Sequence, residues 1–514
     1  MNIRISMMML TGLLGCCLPA QGGARTPDAP LNILLVTVDD MNWDTPGCYG
    51  NPIPNITPNI DALAERGLRF GNAYVTHSIC GPSRATMLTG LLPSHHGATG
   101  SCFLTPGIVP ITVPLKAAGY YTGIYGKDHI APLDVYDWDE HVHHIDGLPE
   151  KQITFSRHPD VFGREIAGFI ERAKKTGKPF FLMANPEDPH RPFANGPKIP
   201  EFIAEGKVVP PVTRIIGPDE VPVPDFLPDL PEVRRELGYY YTSAFRGDQV
   251  VGKVFQALEE SGVADRTLVI FLSDNGMPFP MAKGETYLNS NRVPMIAMLP
   301  GMAAPGGTYK GLLSSTDIAP TILEAAGVPD PGNLDGWSFL PLLKGSDSYR
   351  ERDFVVNEFH MHGKIGGRQF DTPYPIRCIQ TKQFRYLVTF WSDGETNREL
   401  YVPDPCDDAM AIASKTNHTI AVRYELFHHR VREELFDTAK DPQCLQNLIG
   451  NPEYAAARQR LRERLADDML QRGDSALEAF LNLYDDEKRR EFLQAEKAFL
   501  DRKVKIEKEH ATSH

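Results

Sequence analysis

The chain has no C-x-x-C pair, no internal repeat, and no apolar run beyond its first residues long enough to cross a bilayer. Two of its eight cysteines, Cys16 and Cys17, fall in the leader. The other six (Cys48, Cys80, Cys102, Cys378, Cys406 and Cys444) are scattered. That excludes a zinc-finger pattern and a dense disulfide framework, and leaves one or two bridges open. Positive charge is also short: 53 Lys and Arg face 66 Asp and Glu in 514 residues, a net −13. Such a balance argues against a general nucleic-acid binder. An anionic substrate would need a local positive field built against the protein's overall sign. The 43 Gly and 43 Pro carry no period, so they mark many loops rather than a collagen or low-complexity chain. With 42% hydrophobic and 23% charged residues, the composition is that of an ordinary globular protein.

At the N-terminus one Arg precedes an apolar run from Ile5 to Leu14, and small residues follow. This predicts a signal peptide over residues 1–24, with Ala20 as an ordinary cleavage site and Leu14-Gly15-Cys16 as a lipoprotein one. The protein is therefore expected to be exported, periplasmic or extracellular, and soluble or lipid-tethered at Cys16, with no transmembrane segment.

Four apolar, β-rich runs each end in a polar cluster. Leu31 to Val38 ends in Asp39-Asp40, and Tyr120 to Tyr125 in Gly126-Lys127-Asp128-His129. Pro179 to Ala184 leads to Asp188-Pro189-His190, and Thr267 to Ser273 to Asp274-Asn275-Gly276. Helical patterns lie between them, at Asn59–Gly67, Phe162–Lys175 and Ser243–Gly262. Strands alternating with helices predict an α/β fold with a mostly parallel central sheet flanked by helices, over 30–345. Ligands bind such sheets at the carboxyl ends of the strands, where these polar clusters fall. Shorter alternating runs over 346–475 predict a smaller C-terminal α+β domain. The charged segment 476–514 reads as an exposed helical tail that docks on a neighbour, and a homodimer stays open.

Ile79 to Gly90, ICGPSRATMLTG, is the most specific segment. Cys80 precedes a predicted helix start, Pro82 suits its first turn, and Arg84 lies one helical turn on. A helix N-terminus with a guanidinium makes an oxyanion site. Asp39, Asp40, Asp274 and Asn275 offer hard oxygen ligands, which select calcium or magnesium over zinc or copper. His141, His143 and His144 have metal-like spacing without a fourth ligand and read as surface loop.

Ile79–Gly90 resembles the sulfatase family signature, Cys-x-Pro-Ser-Arg followed by Thr-Gly. The resemblance runs from about Asn32 to Leu448. It implies an alkaline-phosphatase-like fold and a Cys80 converted to formylglycine by a formylglycine-generating enzyme, its hydrate serving as nucleophile. It further implies one calcium on Asp39, Asp40, Asp274 and Asn275, shared with position 80, with Arg84, Lys127, His129, His190 and Lys283 as catalytic groups. SDNGMPFP, EDPHRPF and PYPIR resemble the heparan sulfamidase branch, the N-sulfoglucosamine sulfohydrolases, although that branch has Arg where Lys283 stands. On this resemblance the substrate is a sulfated carbohydrate, and Asp188, Glu358, His360 and Arg377 are expected sugar contacts. Two rival readings remain: a phosphate or phosphonate ester hydrolase on the same fold, and a secreted glycan binder whose Cys80 stays a thiol. Within the first reading, an exo-acting O-sulfatase is the alternative to the N-sulfate substrate.

Overall fold

The computed structural model describes residues 30–145, 154–360, 373–395 and 404–513. The signal-peptide expectation and Cys16 lie outside them. Nine strands form the central sheet, in the order β4-β3-β5-β1-β6-β8-β2-β7 with β9 paired to β2. They are β1 Asn32–Val38, β2 Leu68–Tyr74, β3 Tyr121–Gly126, β4 Glu140–Val142, β5 Phe180–Asn185, β6 Thr267–Ser273, β7 Arg292–Val293, β8 Met295–Met298 and β9 Thr308–Ser314. Four of the first six (β1, β3, β5 and β6) are the four apolar runs, within a residue at each end.

All seven residues of β1 are buried. Its alternate side chains enter two separate cores: Ile33 and Leu35 go to one, Leu34, Val36 and Val38 to the other. That is why the strand reads as a continuous apolar run rather than an alternating one. The second core is closed by α3 (Pro159–Thr176) and α4 (Pro231–Glu260), through residues such as Phe162, Ile166, Val250 and Val254. The first is closed in part by α2 (Cys80–Thr89), through Ala85, Met87 and Leu88. A shorter helix, α1 (Pro58–Arg66), packs on the α4 side. Helix α4 starts twelve residues before its expected start at Ser243. Its early turns, PEVRRELG, are too polar to announce a period.

Strands β4, β3, β5, β1 and β6 are parallel. Their register pairs Val38 with Ser273 and Gly126 with Asn185, so the polar clusters emerge along one edge. The other side is mixed, because β8 runs antiparallel to β6 and β2.

A second sheet, antiparallel, is built from β10 Val355–Phe359, β11 Ile376–Gln380, β12 Phe384–Thr389 and β13 Glu433–Asp437 in sequence order. Helix α5 (Ala455–Arg472) covers it with Leu461, Leu465 and Met469. The tail forms α6 (Asp486–Ser513), and its docking partner is this chain itself. Phe492 packs into the core beneath the small sheet, Arg489 Nη1 donates to the Ser392 carbonyl, and Glu507 accepts from the Ser101 hydroxyl. The segment read as exposed because one apolar or polar contact per turn leaves most of the helix charged. No helix among the described residues is long and apolar enough to cross a membrane.

Gly123 of β3 lets α3 pack closely on the sheet. A Cβ there would fall 2.3 Å from a ring carbon of Phe169. That ring is already packed against Tyr121, Tyr125 and Phe180 and has nowhere to go. Gly123→Ala should therefore destabilise the protein by about 1–3 kcal/mol through overpacking. Thermal unfolding checks this, and an unchanged Tm would show that the helix does not lie that close.

Candidate active site

At the shared edge, the loops after β1 and β6 are tied together before any side chain acts. The Asp274 amide donates to the Val38 carbonyl at 3.1 Å, and the Asp40 amide to Asp274 Oδ1 at 3.2 Å. Asp40 turns through a left-handed backbone, φ 67°, which aims its carboxylate back at Asn275. Asn275 Nδ2 donates to Asp40 Oδ1 at 2.7 Å. Gly276 follows because a Cβ there would lie 1.8 Å from the Asn289 carbonyl oxygen. An Asp-Asn-Gly run that looks like an ordinary turn thus has a steric reason for its glycine.

Helix α2 brings position 80 to this pair of loops. Its whole length is buried, and Gly90 ends it in a left-handed conformation, φ 69°. Cys80 Sγ lies 3.5 Å from Asp39 Oδ1, 3.6 Å from Lys127 Nζ and 3.3 Å from Lys283 Nζ. One turn on, the fully buried Arg84 bonds Asp274 through Nε at 3.0 Å and Asp39 through Nη2 at 3.3 Å. Lys127 pairs with Asp39 at 2.5 Å, and Lys283 pairs with Asp40. Three carboxylates and three cations thus surround one sulfur.

The electrostatics follow from this packing. Burial alone would raise the Asp39 carboxyl, but Lys127, His190 and Arg84 outweigh it and hold it well below the usual carboxylate range. Burial, then the Asp39 charge, pushes Asp274 up to about 6. Burial disfavours the Lys127 ammonium, yet Asp39 overrides it and the net shift is upward. The Cys80 thiol is pushed up by burial and by Asp39, so as a cysteine it stays protonated and is a poor nucleophile.

A divalent cation fits here. Oxygen or sulfur atoms of Asp39, Asp40, Asp274 and Cys80 all lie within 4.8 Å of one another. Two further observations point the same way: Asp40 Oδ2 and Asn275 Oδ1 are buried without a hydrogen-bond partner. Unsatisfied buried oxygens are costly, and a cation would satisfy both.

His190 reaches the rim on the loop after β5, where Pro189 bridges to Asp39. Its Nδ1–H donates to the Arg191 carbonyl, which leaves Nε2 facing Asp40 Oδ2 at 3.9 Å. Burial and then Lys127 lower it to about 4. His129 stands exposed at the mouth, with φ 44°. The structure thus brings together Asp39, Asp40, Cys80, Arg84, Lys127, His190, Asp274, Asn275 and Lys283, with His129 beside them.

The expected sugar contacts are placed differently. Asp188 is fully buried between two guanidiniums: Arg157 Nη1 at 2.5 Å and Arg246 at 2.6 and 2.9 Å. Arg157 also donates to the carbonyls of His190, Arg191 and Pro192, so this clamp holds the loop that carries His190. Neither arginine has a motif around it, and nothing in the sequence singled them out. Glu358 is buried and accepts from Ser94, His360 and Arg472, while Arg377 makes a two-pronged pair with Asp474 at 2.7 and 2.9 Å. His360 lies between Glu358 and Glu496 of α6. These groups are saturated by one another and tie the small sheet to the last helices. In this structure they face one another as internal ion pairs.

The sulfatase family profile matches residues 31–328, more than half of the chain. The chain belongs to the sulfatase family. A second profile, the C-terminal region of N-sulphoglucosamine sulphohydrolase, matches residues 281–422. This sulfatase is 30% identical to human N-sulphoglucosamine sulphohydrolase over 468 residues, covering 85% of this chain and 89% of that protein. Among solved structures, it is similar to a protein in complex with its substrate D-glucosamine-2-N,6-O-disulfate, with TM-score 0.64 and 19% identity, over 87% of this chain and 99% of that one. It is also similar to the phosphonate monoester hydrolase of Agrobacterium radiobacter, with TM-score 0.62 and 20% identity, over 86% and 96%. These two likenesses establish the fold, the alkaline-phosphatase-like architecture common to sulfatases and such hydrolases.

The Asp188 clamp yields a test that separates structure from substrate contact. Asp188→Asn leaves two buried guanidiniums short of charge and should cost about 3–5 kcal/mol. Because the clamp holds the His190 loop, kcat should fall with KM nearly unchanged. A raised KM at unaltered Tm would instead make Asp188 a sugar contact.

Proposed function

We propose that this sulfatase removes the N-sulfate of glucosamine from heparin- or heparan-type glycans, through formylglycine at position 80 and one calcium ion. The observation that carries the reading is Cys80 at the meeting point of the carboxylate cluster with Lys127 and Lys283. Relatedness to a sulphoglucosamine sulphohydrolase, in both halves of the chain, supports the substrate class.

A cysteine held as a thiol in this site has little nucleophilic power, which supports its conversion by a formylglycine-generating enzyme. Formylglycine at position 80, once water has added to its aldehyde, would supply a geminal hydroxyl as the nucleophile toward sulfur. Calcium, when held by Asp39, Asp40, Asp274 and Asn275, supplies an attraction for a sulfate oxygen and offsets the carboxylates.

The chain's own residues do the rest. Lys127 and Lys283 pair with Asp39 and Asp40, the carboxylates a cation would claim, and with a cation on those carboxylates the two ammonium groups would exchange them for a sulfuryl oxygen. Arg84 is held from two sides and fixes the carboxylates against each other. His190, with Nδ1–H committed to the Arg191 carbonyl, presents Nε2 to the leaving atom. Burial depresses this imidazole first and the Lys127 charge second, and a bound anion opposes the Lys127 effect and favours a proton at Nε2. The proton then passes to the departing nitrogen, which leaves as an amine while sulfur gains the attacking oxygen. His129 is assigned the base of the resetting step. The cations contribute most where negative charge grows toward the leaving group. Export by a signal peptide belongs to the same reading, since polymeric glycans are met outside the cell.

The test is sulfate release from N-sulfoglucosamine, glucosamine-6-sulfate and a simple aryl sulfate, with mass spectrometry of the peptide bearing position 80. Release from the N-sulfated sugar alone is expected. Release from the 6-sulfate alone would keep the reaction and overturn the substrate. Cys80→Ala should reduce turnover to background with Tm nearly unchanged, and a fully active variant would overturn the mechanism. Chelation should lower the rate, and added calcium should restore it.

A further inference from the structure

A second group of metal-ligating side chains lies outside this centre. Asp128 follows β3, His141 sits on the edge strand β4, and His143 comes one residue after that strand ends. Strand β4 pairs with β3 in parallel register, Ile124 with His141, and this brings the loop after β3 alongside it. Residues two apart on a strand share a face, so both imidazoles project to the same side. The rings stack with centroids 5.1 Å apart and planes at 29°. Asp128 faces them, its Oδ2 2.7 Å from His141 Nε2. One donor atom from each of the three residues lies within 4.8 Å of the others. The spacing of the histidines was legible in the sequence, but the third ligand comes from a different loop.

We propose that Asp128, His141 and His143 form an exchangeable site for a first-row transition ion such as zinc, separate from the oxygen-rich centre. Two imidazoles and one carboxylate are the donor set that zinc takes with water in the fourth position, and one that calcium avoids. Ligand bonds of about 2.1 Å in a tetrahedron place donors about 3.4 Å apart. The His141–Asp128 contact must open and the wider spacings close, each by about an ångström and a half or less. His143 is exposed and His141 and Asp128 are half-buried, so the side chains have room to move and the ion has a path in. Asp128 also accepts from the backbone amide of His129. The ion would therefore fasten the edge strand to the loop between Lys127 and His129.

The experiment is a zinc titration of calcium-saturated protein by calorimetry and equilibrium dialysis, with His143→Ala and His141→Ala in parallel. The wild type should take up one zinc per chain beyond any bound in the variants, and its Tm should rise with zinc. Each variant should bind at least tenfold more weakly and show no such rise. Cobalt in place of zinc should give the wild type alone a tetrahedral visible spectrum. The exposed His143 can be removed without a fold defect, and its Tm without metal checks this. Equal zinc uptake in wild type and both variants, or none in any, would overturn the site.

Discussion

Everything in this protein depends on keeping charge stable where water is scarce. Asp39, Asp40 and Asp274 are buried together, and burial of an unpaired carboxylate costs several kcal/mol. Arg84, Lys127 and Lys283 answer them one for one, within hydrogen-bond or ion-pair distance. The pairing outweighs desolvation at Asp39 and holds it well below the usual carboxylate range, while at Asp274 burial and the neighbouring Asp39 charge win and raise the carboxyl to about 6, still ionised at neutral pH. The result is a neutral-on-balance knot whose members are all poised to change partners. Such a knot needs a rigid frame, and five parallel strands with matched register provide it.

The frame was the part most legible in the sequence. Strands buried on both faces must be apolar throughout, so β1, β3, β5 and β6 stood out, and the chemistry begins where the apolar run stops. Cys80, Arg84 and Gly90 were legible because helix start, helix turn and helix end each impose a residue type. Helix α4 was legible only in its second half, since its first turns are charged enough to hide any apolar face.

What could not be read was pairing across long distances in the chain. Arg157 and Arg246 look like surface residues, yet they meet at Asp188 and fix the His190 loop. Glu358, His360 and Arg377 were recognisable by type, but their ion-pair partners, Arg472, Glu496 and Asp474, stand more than ninety residues later. Charge in a helical tail reads as solvated surface, and only the fold reveals that one residue per turn is spoken for. The same limit hid Asp128 from the two histidines beside it.

The strand order also sets a clock. Strand β1 lies between β5 and β6, and β6 is not made until more than two hundred residues after β1. Until then the sheet has no centre, and the segment around Cys80 cannot be enclosed, because Asp274 and Lys283 are still to come. At about 5–20 residues per second, the stretch from position 80 to 283 takes about 10–40 s to synthesise. During that interval Cys80 is an open thiol on an unfinished chain. Afterwards it sits at 4% exposure beneath three cations. Any enzyme that alters this side chain must therefore work on the nascent or unfolded chain, and the rate of folding, as much as its own affinity, limits the fraction it converts.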